Sequence, residues 1–130
     1  MRSVVLALAF LIYSSLHAAP PSPTCTEEAQ TYDSKVVLCA IPQLTETRSY
    51  RFIARFSGGH DDTRASIQTS LDGRPLTCED GSKTESFAED GDISLNCRFV
   101  LSGAPGTHPS LRVTVRWSHA EYTNFELEGL

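Results

Sequence analysis

Residues 111–117 read LRVTVRW, and this stretch decides the class of fold. Apolar residues occupy every second position, while Arg112, Thr114 and Arg116 stand between them. This alternation is typical of a β-strand with one face in a core and the other in solvent. We therefore predict a half-buried strand whose two arginines point outward.

Similar patterns recur on both sides of this stretch. Short alternating or apolar runs, separated by turn signals such as Asp72-Gly73, predict about seven strands. These runs are residues 35–41, 50–56, 66–71, 75–79, 93–101, 111–117 and 122–127. No helical periodicity of useful length interrupts them. The sequence thus predicts an all-β fold, a small disulfide-stapled antiparallel sandwich of immunoglobulin-like or jelly-roll-like type, with a small β-barrel as the alternative.

The first 18 residues have the parts of a secretory signal peptide. Arg2 precedes an unbroken apolar run over residues 4–13, and small residues follow at Ala18 and Ala19. Ten apolar residues are too few to span a bilayer, which needs roughly 20. We predict a signal peptide over 1–18, an N-terminal arm over 19–34 with at most one helical turn near residues 26–30, and a single sandwich domain over 35–130. The protein is then expected to be periplasmic or secreted.

The charge balance narrows the classes of partner. The 130-residue chain has a formal net charge of −5, which disfavours nucleic acid and anionic membranes as general partners. No second apolar run has the length that membrane insertion requires. The sequence carries no signal for an oligomeric state.

Four cysteines follow the predicted signal peptide, at positions 25, 39, 78 and 97. Four cysteines allow three pairings, and their spacing does not choose among them. Strand alternation places Cys39, Cys78 and Cys97 on apolar faces, and we prefer the pairs Cys25–Cys39 and Cys78–Cys97. Metal ligation is disfavoured, because the sequence has no Cys-x-x-Cys pair and no histidine at ligand spacing from a cysteine.

An acidic loop over residues 79–92 is one candidate site. Its carboxylates could bind Ca²⁺, which takes six to eight oxygen ligands, although their spacing does not match an EF-hand. The candidate ligands are Asp80, Glu89, Asp90 and Asp92. The favoured alternative is a solvated hairpin loop with no metal and no other cofactor.

A second candidate is the loop formed by Ser57, His60, Asp61 and Asp62. Loops at strand ends often carry binding residues, and a histidine beside two carboxylates could bind a partner or metal or act as a base. No recognisable motif places a nucleophile beside it, so a plain polar turn is favoured. Proximity to His108 and His119 would strengthen the metal hypothesis.

A third candidate is a set of outward arginines, Arg51, Arg55, Arg112 and Arg116. If their strands are neighbours, they form a basic stripe able to contact an acidic partner. The alternative is cross-strand pairing with carboxylates such as Glu126.

Two stretches resemble a known family. Residues 48–57 (RSYRFIARFS) resemble the strand that opens the bacterial pre-peptidase C-terminal type of β-sandwich, and residues 111–127 (LRVTVRWSHAEYTNFEL) look like the strands that close it. Periplasmic lysozyme inhibitors have a comparable sandwich. The resemblance implies an inhibitor that presents a loop to a hydrolase cleft; the similar element here is Ser57 and Gly58 with His60, and the tyrosine expected nearby is absent.

These patterns predict an exported, non-enzymatic sandwich that binds a macromolecule. The partner is either a protein, as for a hydrolase inhibitor, or a glycan of the cell envelope. One alternative is a calcium- or metal-dependent module, with or without enzymatic activity, that uses Asp61, Asp62 or the acidic loop. Another is a carbohydrate-binding module, although alternation turns Tyr50 and Trp117 inward and leaves few aromatic side chains to meet a sugar.

Overall fold

A computed structural model of the chain describes residues 22–79, 83–87, 90–103, 106 and 108–130. The predicted signal peptide and the candidate ligands Asp80 and Glu89 lie outside these residues. Within these residues the chain forms nine strands and no helix. The described chain therefore has no helix that is long and apolar enough to cross a membrane. The strands are β1 (Thr24–Gln30), β2 (Ser34–Ala40), β3 (Arg48–Gly59), β4 (Thr63–Leu71), β5 (Arg74–Leu76), β6 (Lys83–Phe87), β7 (Gly91–Leu101), β8 (Ser110–Ser118) and β9 (Glu121–Gly129).

The strands form two antiparallel sheets. Six belong to one sheet in the order β1-β2-β8-β4-β5, in which β6 also pairs with β4; the other three form a sheet in the order β7-β3-β9. The two sheets remain separate in the described chain, so the prediction of an all-β sandwich is confirmed and the barrel alternative is not adopted.

The core lies between the sheets and follows the predicted alternation. In β8, Leu111, Val113 and Val115 are fully buried, whereas Arg112 and Arg116 are exposed. β8 lies between β2 and β4, so both of its edges are paired. In β3, Phe52 and Phe56 are buried in the same way from the opposite sheet. Two facing sheets of alternating strands thus bury one apolar layer each.

Two strands were not predicted. Residues 24–30, assigned above to the N-terminal arm, form edge strand β1 with no helical turn, so the six-stranded sheet begins before residue 35 and that boundary was wrong. Residues 83–87, inside the predicted acidic loop, form β6 and pair with residues 63–67 of β4. Neither segment has a clear apolar alternation; each is a strand because it hydrogen-bonds to an edge that would otherwise be unpaired.

Both predicted disulfides are confirmed, Cys25–Cys39 and Cys78–Cys97. The first joins directly opposed residues of β1 and β2. The second joins Cys78, which follows β5 of the six-stranded sheet, to Cys97 on β7 of the three-stranded sheet. Beside this disulfide, the Glu79 N–H donates to the Arg98 carbonyl at 2.7 Å. The second disulfide therefore closes one side of the sandwich covalently.

This crossing divides the edge of the six-stranded sheet. β5 pairs with residues 69–71 of β4, and β6 pairs with residues 63–67 on the same β4 strand. Between them the chain leaves the sheet for Cys78, so Gln68 pairs with neither strand. We call this arrangement of β5 and β6 the broken edge.

A polar cluster closes the opposite side of the sandwich. The Lys35 side chain is 9% exposed, and its Nζ lies 2.7 Å from both Glu27 Oε2 and Gln30 Oε1. The same Nζ lies 5.7 Å from the ring centroid of Tyr122 on β9, a cation–π arrangement. The Tyr122 hydroxyl donates to Glu27 Oε1 at 3.3 Å. This Lys35 cluster thus links β1 and β2 to the other sheet without a covalent bond.

Replacing both Cys78 and Cys97 by alanine is expected to lower the free energy of unfolding by about 3 kcal/mol, because the disulfide closes a loop of 19 residues. Urea denaturation measures the loss, and amide exchange of β5 should accelerate. The double variant of Cys25 and Cys39 is the matched control. It loses a comparable loop constraint but should leave exchange in β5 unchanged; equal acceleration in both variants would contradict a specific role for the second disulfide.

Tyr122 gives a pH-dependent prediction. Burial, then the nearby Glu27 carboxylate and its hydrogen bond, raise the pKa of Tyr122. The unfolded chain therefore deprotonates first, near pH 10 (about the ordinary tyrosine pKa), and stability present below that pH is lost as the pH rises above it. Tyr122→Phe should be about 1 kcal/mol less stable at pH 8 but should lose less stability between pH 9.5 and 11.5 by urea denaturation. Parallel losses in both proteins would refute the assignment.

Candidate functional site

The broken edge opens a groove on the six-stranded sheet. Its volume is about 470 Å³, within the range of small-molecule sites of roughly 300–1,000 Å³. Gln68 and Thr114 contribute an amide and a hydroxyl from the outer face of the sheet, and Arg112 contributes a guanidinium. Pro75 and Leu76 add apolar surface at the gap in the edge. The groove therefore combines hydrogen-bonding groups with apolar contact area.

A second depression of about 190 Å³ continues along the same face. It is lined by Arg64, Ser66 and Arg116, and it shares Thr84 with the larger depression. The shared Thr84 makes the two depressions adjoining parts of one surface, which we call the outer groove. The outer groove crosses β4, β6 and β8.

Strand alternation explains why these side chains converge. In β4, residues 64, 66, 68 and 70 point away from the core, while Ala65 and Ile67 are buried. The register places Ser66 opposite Arg116 on β8 and Gln68 opposite Thr114. On the other edge of β4, Ser66 faces Thr84. Three adjacent strands thus contribute polar side chains to one face.

Lys83 forms part of the groove at the start of β6. Its Nζ lies 2.6 Å from Glu85 Oε1, and the side chain is 14% exposed. This ion pair neutralises Lys83 within the wall of the groove. The described lining residues of both depressions include no aspartate or glutamate.

The predicted loop of Ser57, His60, Asp61 and Asp62 lies at one end of the sandwich. Ser57 is in β3, and the other three residues form the turn between β3 and β4. The His60 N–H donates to Thr63 Oγ1 at 2.7 Å, and the fully buried Thr63 hydroxyl donates to the His119 carbonyl at 2.6 Å. Thr63 therefore ties this turn to the turn between β8 and β9.

Of the three histidines considered as metal ligands, the structure brings His60 and His119 to the same end. His119 Nε2 lies 3.6 Å from Asp62 Oδ2, with both side chains more than half exposed. His108 lies beyond the opposite end of β8, roughly 25–30 Å away at the usual rise per strand residue. In the part of the chain that the structure describes, no three histidine, cysteine, aspartate or glutamate side chains are grouped closely enough to hold a metal.

The candidate calcium ligands fall into two groups. Asp80 and Glu89 are outside the described residues. Asp90 precedes β7, and Asp92 is an exposed residue within β7. The Ca²⁺ hypothesis stays a prediction.

The four arginines do not form one stripe. Arg51 and Arg55 lie on β3 of the three-stranded sheet, whereas Arg112 and Arg116 lie on β8 of the other sheet. The sequence could not show that these strands belong to different sheets, so the condition for a stripe across all four arginines is not met. Their outward faces are on opposite sides of the sandwich.

The alternative of cross-strand pairing applies to the arginines of β3. The Arg51 Nε donates to Glu128 Oε1 at 2.7 Å. Arg55 Nη2 lies 3.0 Å from Glu126 Oε2, and Arg55 Nη1 donates to Asn124 Oδ1 at 3.2 Å. Carboxylates of β9 thus neutralise both arginines of β3.

Aromatic side chains are placed as the alternation predicts. Tyr50 and Trp117 are 1% and 7% exposed. Tyr32 lies in the turn between β1 and β2 and, unlike the other aromatic residues of the described chain, is almost fully exposed, at 92%. It lies at the end of the sandwich that carries His60 and His119, because Ser34 pairs with Arg116 near the end of β8. It is therefore not part of the outer groove.

Sequence reasoning missed Arg64, Gln68 and Thr84. The alternation in residues 64–71 could have placed Arg64 and Gln68 on an outward face. No local signal reports that β5 and β6 share one edge of β4, since that pairing depends on the path of the chain through Cys78.

No protein-family model matches this sequence, and a comparison with curated proteins finds no match. Among solved structures, the C-terminal domain of EclA, described as a sugar-binding protein, is similar with a TM-score of 0.42 and 12% identity, over 94% of this chain and 89% of that one. The PA14 sugar-binding domain of an RTX adhesin is similar with a TM-score of 0.35 and 17% identity, over 75% of this chain and 47% of that one. TM-scores this low transfer neither the fold nor the ligand of those proteins to this chain. The resemblance to pre-peptidase C-terminal domains and lysozyme inhibitors stays a prediction.

Proposed function

We propose that this protein is a non-enzymatic, exported glycan-binding domain and that the outer groove is its binding site. The observation that carries the proposal is the mixed lining of the larger depression. Gln68 and Thr114 can hydrogen-bond to hydroxyl groups, and Pro75 and Leu76 supply apolar contact. A pyranose ring has both kinds of surface, since its hydroxyls project outward around apolar C–H faces.

The shape of the site supports a chain of sugars over a single small molecule. The two depressions adjoin at Thr84 and run across three strands. Both are open to solvent on the face of a sheet, so a polymer can lie along them without threading. The sheet positions the lining residues before the ligand arrives, which lowers the entropic cost of binding.

The chemistry of the described lining supports binding over hydrolysis. Most glycoside hydrolases use two carboxylates that flank the scissile bond. Neither depression has an aspartate or glutamate among its described residues. The two disulfides are typical of proteins from oxidising compartments, where cell-envelope and extracellular glycans are found.

A glycan array followed by titration calorimetry of the best ligand tests the proposal. Gln68→Ala should weaken binding about three- to tenfold, because it removes a hydrogen bond worth about 0.5–1.5 kcal/mol.

Asn96→Ala is the matched control. It removes an amide from β7, whose exposed residues belong to the outer face of the three-stranded sheet. Affinity for the glycan should stay within twofold of the unmodified protein. Absence of binding to every glycan, or an equal loss in both variants, would overturn the proposal; recovery of a protein hydrolase as the tight partner would favour the inhibitor hypothesis instead.

A further inference from the structure

Three arginines border the outer groove. Arg112 lines the larger depression, and Arg64 and Arg116 line the smaller one. All three are exposed. The site proposed for glycans therefore has a cationic group at each end.

These arginines differ from those of the opposite face in their partners. Within the described chain, Arg64 and Arg116 form no ion pair and no side-chain hydrogen bond. Arg112 has one carboxylate nearby, with its Nη1 3.9 Å from Glu28 Oε2 and both side chains about half exposed. Exposed pairs of this kind contribute little. The outer groove is thus a cationic surface on a chain whose net charge is −5.

The spacing of the charges fits a polymer. Arg112 and Arg116 are four residues apart on β8, which places their Cα atoms roughly 13 Å from one another. Arg64 is diagonal to Arg116 across the β4–β8 pair, since Arg64 faces Ser118 and Ser66 faces Arg116. Diagonal neighbours lie about 7–8 Å apart. A ligand that forms ion pairs at both ends must therefore carry more than one anionic group.

We propose that the outer groove selects an acidic polysaccharide, whose carboxylate or sulfate groups are bound by Arg112 at one end and by Arg64 and Arg116 at the other. Guanidinium groups present a planar fork of donors that matches such anions. Gln68, Thr84 and Thr114 then hydrogen-bond to the hydroxyls of the sugars between the charges. This inference rests on the proposed function and specifies the class of glycan.

The test compares three polymers of similar length: a neutral glucan, its sulfated derivative and a uronate homopolymer. Calorimetric titrations of the full-length, oxidised protein run at several salt concentrations. At least one acidic polymer should bind about tenfold or more tightly than the neutral glucan at low salt, and that advantage should shrink as salt screens the charges. Preference between the two acidic polymers identifies the anionic group.

Arg112→Gln and Arg116→Gln should each weaken binding of the acidic polymer about five- to tenfold. Arg116→Glu should weaken it further, because it adds repulsion. The matched control is Arg55→Gln on the opposite face, which should leave affinity unchanged. Thermal melts confirm that each variant is folded.

The outcomes separate this inference from the proposed function. Tight binding of the neutral glucan, independent of salt and of Arg116, would overturn the inference and leave the glycan-binding proposal standing. Absence of binding to all three polymers and to every glycan on the array would overturn both. Equal affinity for single-stranded DNA of matched charge would also overturn the inference, because it would show general attraction to polyanions.

Discussion

The covalent bond between Cys78 and Cys97 is the constraint on which the surface of this sandwich depends. It draws the chain away from the six-stranded sheet after β5 and fixes it to β7 of the other sheet. The chain then returns to β4 as β6, so one sheet edge is completed by two separate strands. A single long edge strand would have paired with β4 past Gln68 and left no gap there. The groove exists because the edge strand is interrupted at the point where the two sheets are joined.

The sandwich class could be predicted because alternation is a local property. In LRVTVRW, each residue's face follows from its neighbours, and the structure buries Leu111, Val113 and Val115 as that pattern requires. The strands β1 and β6 could not be predicted in this way. TCTEEAQ and KTESF are polar segments, and their extended conformation comes from hydrogen bonds to β2 and β4. Such pairing depends on residues distant in sequence.

The same limit applies to the site. The alternation correctly predicted outward side chains for Arg51, Arg55, Arg112 and Arg116, because the face of a residue depends only on the strand pattern. It did not reveal which strands are neighbours, and the arginines of β3 and β8 are on different sheets. The chemical consequence is large. Glu126 and Glu128 neutralise one pair, whereas the other pair shares its face with Arg64 and with uncharged Gln68 and Thr114.

The two sides of the sandwich are closed by different kinds of bond, and this predicts where the fold is rigid. A disulfide closes the side of β5 and β7, while the Lys35 cluster closes the side of β1 and β9 through contacts that water can replace. Local opening should therefore begin with separation of the β1–β2 hairpin from β9. The outer groove lies across β4, β6 and β8, towards the covalent side. Opening of this kind would leave the surface proposed for the ligand in place.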